Sequence, residues 1–133
     1  MDTQKAIEEF LAGSVFAVVG ASTNREKYGN KVLRCYQQNG RNVHPVNPKA
    51  DEVEGLKAYP DLASIPDQLH GISVITPPAI TEKVVEEAAK VGVKHVWMQP
   101  GAESDAAIAR CREHGMGVIA DGSCALVVMG YHE

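Results

Sequence analysis

The chain has 133 residues, 44% of them hydrophobic, 23% charged and 5% aromatic, with a net charge of −4. That length suits one domain over 1–133, able to bury roughly two-thirds of its unfolded surface without a metal or disulfide staple. The composition excludes a disordered tail, a collagen or a coiled coil; no apolar run nears the ~20 residues of a membrane helix, and the acidic start MDTQKAIEEF is unlike a signal peptide.

In chain order, Ile7, Phe10 and Leu11 fall on one face of a helix expected over Thr3–Ala12. VFAVV at Val15–Val19 reads as a buried strand ending on Gly20. A polar loop over 21–29 leads to a helix over Asn30–Asn39, with Val32, Leu33 and Tyr36 inward and Gly40 as its left-handed end. NVHPV at Asn42–Val46 is a short strand, irregular near Pro45, which cannot donate to a ladder. Residues 49–71 are the least regular, with a small edge strand expected at Leu56–Tyr59. Ile72–Thr76 is a strand stopped by Pro77 and Pro78, and Thr81–Val91 a helix with Val84, Val85, Ala88 and Ala89 inward. Lys94–Met98 is the next strand. Ser104 is placed to cap a helix over Asp105–His114, because its hydroxyl can accept an orphan backbone N–H. Gly117–Ala120 is the last clear strand, and CALVVMGY fits a strand or a short helix.

Apolar strands alternating with helices imply right-handed crossovers and a parallel sheet covered on both faces. The fold expected is α/β, a Rossmann-like doubly wound parallel sheet of five or six strands in the order 3-2-1-4-5-6. Ligands of such sheets bind outside the strands' carboxyl ends, where the order reverses. Those ends carry Gly20-Ala21-Ser22, Asn47-Pro48-Lys49, Thr76-Pro77-Pro78 and Gln99-Pro100-Gly101.

Charge follows the same map. Residues 21–50 hold six of the thirteen basic side chains, among them Arg25, Lys27 and Lys49, and one of the seventeen acidic ones. The net charge of −4 argues against a general nucleic-acid binder, while a locally basic segment in an acidic protein fits a site for a small anion; a solvated helix face with chance clustering is the plainer alternative. The loop GASTNREKYG keeps only the first glycine of a G-x-G-x-x-G phosphate loop, with Ser22 and Arg25 in place of the others. Gly20 still permits the tight turn, the N–H groups of Ala21 and Ser22 can donate to phosphate, and Arg25 and Lys27 add charge. After the second strand a nicotinamide site wants a carboxylate for the ribose 2′-hydroxyl. Asn47-Pro48-Lys49 offers a cation instead, which disfavours NAD and leaves NADP, or coenzyme A with its 3′-phosphate, open.

Five runs in order, GAS…K.G..V (Gly20 to Val32), V.PVNPK (Val43 to Lys49), VITPP (Val74 to Pro78), VWMQPGAES (Val96 to Ser104) and DGSC (Asp121 to Cys124), give the chain a family resemblance. It resembles the stand-alone CoA-binding domain proteins, which are similar to the N-terminal domain of the succinyl-CoA synthetase α-subunit. The resemblance implies CoA or acyl-CoA as ligand, with the Gly20–Ser22 backbone and Lys27 near the diphosphate and Pro48 and Lys49 at the adenosine end, Lys49 facing the 3′-phosphate. It implies that Thr76 and Pro77 flank the adenine or pantetheine passage and that the Gln99, Pro100 and Gly101 loop borders the arm. It fixes no contact for Tyr28. The synthetase's phosphohistidine belongs to a second domain, and His44, His70, His95, His114 and His132 match no part of it.

The expectation is therefore a cytosolic CoA-binding protein without catalysis of its own, with no metal, no membrane and no nucleic acid. Two alternatives stand beside it: an NADP- or CoA-dependent oxidoreductase or transferase, and a regulator sensing CoA or thiol state through a partner. Cys35, Cys111 and Cys124 show no metal or disulfide spacing and suit a reducing compartment. Cys124 alone lies near the rim; it is either an inert buried thiol or a partner for a CoA thiol under oxidation.

Overall fold

A computed structural model describes residues 3–133. Helix α1 (Thr3–Leu11) precedes strand β1 (Val15–Val19), helix α2 (Tyr28–Gln38) and strand β2 (Asn42–Val46). A small hairpin, β3 (Glu52–Val53) and β4 (Leu56–Lys57), and a 3-10 turn (Leu62–Ser64) lead to β5 (Gly71–Val74) and α3 (Pro78–Lys90). The chain closes with β6 (His95–Met98), α4 (Asp105–Glu113), β7 (Gly117–Ile119) and α5 (Ala125–Met129). Among the described residues no helix is long and apolar enough to cross a membrane.

Five strands form one parallel sheet in the order β2-β1-β5-β6-β7. The two-residue side-chain period splits the core between its faces. Ala17, Val19, Ile72, Val74, Val96 and Met98 pack under α3 and α4. Phe16, Val18, Val43, Trp97 and Ile119 face the other way, against α1, α2 and Ala125 of α5. Burial on both faces is why the strands read as continuous apolar runs rather than alternating ones.

The expected third strand shrinks to one residue. Leu56–Lys57 pairs antiparallel with Glu52–Val53, through a turn in which Glu54 (φ 49°) and Gly55 (φ 80°) are both left-handed. Tyr59 alone bridges Val46 in parallel, accepting from the Asn47 N–H at 2.9 Å and donating to the Pro45 carbonyl at 3.0 Å. The edge position of the order 3-2-1-4-5-6 is thus held by Tyr59.

Two helices begin earlier than their apolar periodicity indicates, α2 at Tyr28 instead of Asn30 and α3 at Pro78 instead of Thr81. In α3, Pro78 occupies the first turn, where its missing N–H costs nothing. Ser104 caps α4 as expected, its hydroxyl accepting from the Ala107 N–H at 3.0 Å. The ambiguous C-terminal run is a short helix with Ala125 buried and Val127 exposed.

Candidate functional site

The sheet order reverses between β1 and β5, and the chain leaves β1 there by a sharp turn. Gly20 has φ +97°, and a Cβ on it would lie 2.1 Å from the Ile75 carbonyl oxygen. α2 starts directly beneath: a Cβ on Gly29 would lie 2.1 Å from the Gly20 carbonyl oxygen. Gly29 therefore does what the last glycine of a dinucleotide loop does, letting helix and strand pack closely. The sequence pattern hides it because four extra residues of the loop separate it from the place where that glycine is expected, which Arg25 holds.

Those extra residues are held from below. Asn30, fully buried, donates to the Ser22 carbonyl at 2.8 Å and to Glu54 Oε2 at 3.1 Å, and accepts from Arg34 Nε at 2.7 Å. Arg34, 7% exposed, donates its Nη2–H to the Arg25 carbonyl at 2.8 Å. The Arg25 guanidinium lies 3.8 Å from Glu54 Oε2. Ser22 Oγ accepts from the Asn24 N–H and Asn24 Oδ1 from the Glu26 N–H, so the loop spends its side chains on its own turns. Among the described residues, nothing accepts from the N–H groups of Ala21, Ser22 and Thr23. Free amides in a loop that opens onto a helix N-terminus are the chemistry of an anion site. Lys27 is exposed at the N-cap of α2.

Asn47 ties this loop to the next one. Its Nδ2 donates to the Ala21 carbonyl at 2.9 Å while its Oδ1 accepts from the Lys49 N–H at 2.8 Å. Pro48 and Lys49 are thereby held exposed beside Gly20. On the β5 side, Thr76 Oγ1 lies 2.7 Å from Oγ1 of the buried Thr81, and Pro77 is the N-cap of α3.

Gly20, Ala21, Asn47, Pro48, Lys49 and Thr76 line one cleft of about 380 Å³ at this switch point. Pro77 stands on its rim, and Ser22, Arg25 and Lys27 continue beyond it along the loop. Sequence reasoning missed several walls of this cleft: Ile80 and Val84 from α3, Pro60 and Asp61 before the 3-10 turn, and Glu87. Ile80, 43% exposed, is an apolar floor that the later helix start had left in a loop. A second hollow, of about 240 Å³, lies along the edge strand β7, away from the switch point.

Gln99, Pro100 and Gly101 do not line the cleft. Gln99 is fully buried: its Oε1 accepts from Tyr28 Oη at 3.0 Å and from the Ala125 N–H at 2.9 Å, and its Nε2 donates to Ser73 Oγ at 3.3 Å. Its side chain holds the rim together, while Pro100 and Gly101 stay exposed. Tyr28, for which no contact was expected, lies 2.8 Å from Cys124 Sγ and joins that thiol to the network. Burial and the neighbouring thiol push the Tyr28 hydroxyl well above the usual phenol range, so it stays protonated. Burial likewise pushes the Cys35 thiol up to about 11 and Cys111 up to about 12, which keeps both un-ionised and inert.

A family model described as a CoA binding domain matches residues 14–129. The uncharacterized protein YneT of Bacillus subtilis is 31% identical over 116 residues, 86% of this chain and 86% of that protein. An ADP-forming acetate–CoA ligase of Methanocaldococcus jannaschii is 32% identical over 78 residues, 59% of this chain, and the chain spans only 11% of that ligase. Among solved structures, a hypothetical protein from Pyrococcus horikoshii OT3 superimposes with a TM-score of 0.89 at 32% identity, covering 96% of this chain and 89% of the other.

Proposed function

The chain belongs to the CoA binding domain family, and from that premise we propose that it binds CoA or an acyl-CoA across the carboxyl rim of its sheet. The diphosphate lies on the N–H groups of Ala21, Ser22 and Thr23, with Arg25 and Lys27 alongside. The adenosine enters the cleft between Pro48 and Ile80, with Lys49 on the 3′-phosphate. The pantetheine arm passes Thr76 and Pro77 toward Pro100 and Gly101. The observation that carries this reading is the cleft itself, which joins free backbone amides and a lysine to an apolar floor at the sheet's switch point.

The protein holds its ligand without chemistry on it. Among the described residues, no histidine lines the cleft, and Gln99, on the loop toward which the arm runs, is fully buried with its amide bonded to Tyr28, Ala125 and Ser73. Three free cysteines, two of them buried, support a reducing compartment such as the cytosol.

Calorimetry against CoA, acetyl-CoA, 3′-dephospho-CoA, NADP and NAD tests the reading. CoA and acetyl-CoA are expected to bind best, with affinity falling as salt screens the phosphate contacts. Lys49→Ala should lower CoA affinity by about five- to tenfold and leave 3′-dephospho-CoA nearly unchanged. Tighter binding of NADP with hydride turnover would overturn the proposal, and equal losses for both CoA forms would remove Lys49 from the 3′-phosphate.

A further inference from the structure

We infer that Asp61 reads the ribose 2′-hydroxyl, and that this carboxylate makes the cleft select a 3′-phosphorylated nucleotide over a 2′-phosphorylated one. The inference rests on the cleft being the adenosine site. A sheet that reads a free ribose 2′-hydroxyl does so with a carboxylate at the end of its second strand. Here that end is Asn47-Pro48-Lys49, and in sequence the acid is missing.

In space it is supplied from the next position. Because Tyr59 bridges Val46 in parallel, the chain leaves Tyr59 beside the carboxyl end of β2, and Pro60 and Asp61 line the same cleft as Pro48 and Lys49. Asp61 is half-buried and fixed: its Oδ1 accepts from the Ser64 N–H at 2.9 Å and from the Ser64 hydroxyl at 2.6 Å. Its Oδ2 has no partner among the described residues. One oxygen of a rigid carboxylate is thus left for a ligand, on a cleft that also holds a cation.

The chemistry separates two nucleotides that a lone lysine would confuse. In CoA the 2′-hydroxyl is free to donate to Asp61 Oδ2 while the adjacent 3′-phosphate accepts from Lys49. In NADP the phosphate sits on the 2′-oxygen, which has no hydrogen to donate, and the group meets Asp61 head on, with Glu87 also lining the cleft. Both carboxylates then repel it, so the wrong ligand is rejected by charge and not only by a lost contact.

The test measures binding of CoA, 2′-deoxy-CoA and NADP by the wild-type protein and by Asp61→Ser and Asp61→Asn. Both replacements keep a side chain that can cap the 3-10 turn, so both should fold, and thermal melts check this. The wild type should bind 2′-deoxy-CoA about tenfold more weakly than CoA. That gap should close in Asp61→Ser, and Asp61→Asn should gain affinity for NADP relative to CoA. A wild type that binds CoA without a deoxy gap, or a gap that persists in Asp61→Ser, overturns the inference and leaves the CoA site standing. A wild type that binds no CoA overturns both.

Discussion

Gly29 shows how one missing methyl group shapes the rim. Its backbone touches the Gly20 carbonyl, so a side chain there has only backbone to push against. Gly29→Ala must therefore displace either the first turn of α2 or the turn out of β1. The expected cost is about 1–3 kcal/mol in urea unfolding, as for overpacking of a tight core. CoA affinity should fall with it, because the free amides of Ala21–Thr23 hang on that turn. Full stability in the variant would show that helix and strand do not depend on this contact. The role of Gly29 was unreadable from spacing alone, since the pattern that announces such a glycine assumes a shorter loop. What holds the longer loop in place is Asn30 and Arg34, two polar residues on the helix's buried side that read as ordinary α2 residues. Their function exists only once Ser22, Arg25 and Glu54 are folded onto them.

At the scale of elements, what was legible is what is local. VFAVV, ISVIT and KHVWM declare buried strands by their apolar runs, and Ser104 declares a helix start by its hydroxyl. Ser104 also donates to Glu82 Oε2 of α3 at 3.1 Å, so the one side chain caps α4 and ties it to its neighbour. Ser104→Ala should lower stability by about 1 kcal/mol in chemical unfolding. It should leave CoA affinity unchanged, because α4 contributes nothing to the cleft; a matching loss of binding would mean that the α3–α4 contact transmits to the rim. The segment over 49–70 was not legible for the opposite reason. Its hairpin strands are two residues each, and its β-bridge to the sheet is the single residue Tyr59, too short for any periodicity to register. Pro60 and Asp61, placed by that one bridge, were lost to the sequence reading with it.

Across the whole molecule the two ends of the sheet do different work. The carboxyl end gathers loops, free amides and the cleft. The amino end is closed by rings: His70 and His95 lie with centroids 4.7 Å apart, and Phe10 of α1 packs edge-on to His95 at 6.4 Å. His70 Nε2–H donates to the Glu9 carbonyl at 2.9 Å, fastening α1 across this end. Burial first, and then the neighbouring His70, hold the His95 imidazole below its ordinary range, with Glu9 opposing and Lys94 reinforcing. The unfolded chain, with an imidazole near pH ~6.5, therefore takes up a proton before the folded one does. Below that pH protons favour the unfolded state, so stability is unaffected above about pH 7.5, falls as pH drops through ~6.5, and levels off beneath the folded value. Asp121, whose carboxyl is lowered by hydrogen bonds from Ser123, adds its loss only near the unfolded carboxylate range of ~3.9, well apart in pH. Thermal melts from pH 8 to 5 should show a decline that sets in near ~6.5 and that His95→Gln flattens. A decline of undiminished slope in that variant would place the titration elsewhere and free α1 from any dependence on this imidazole pair.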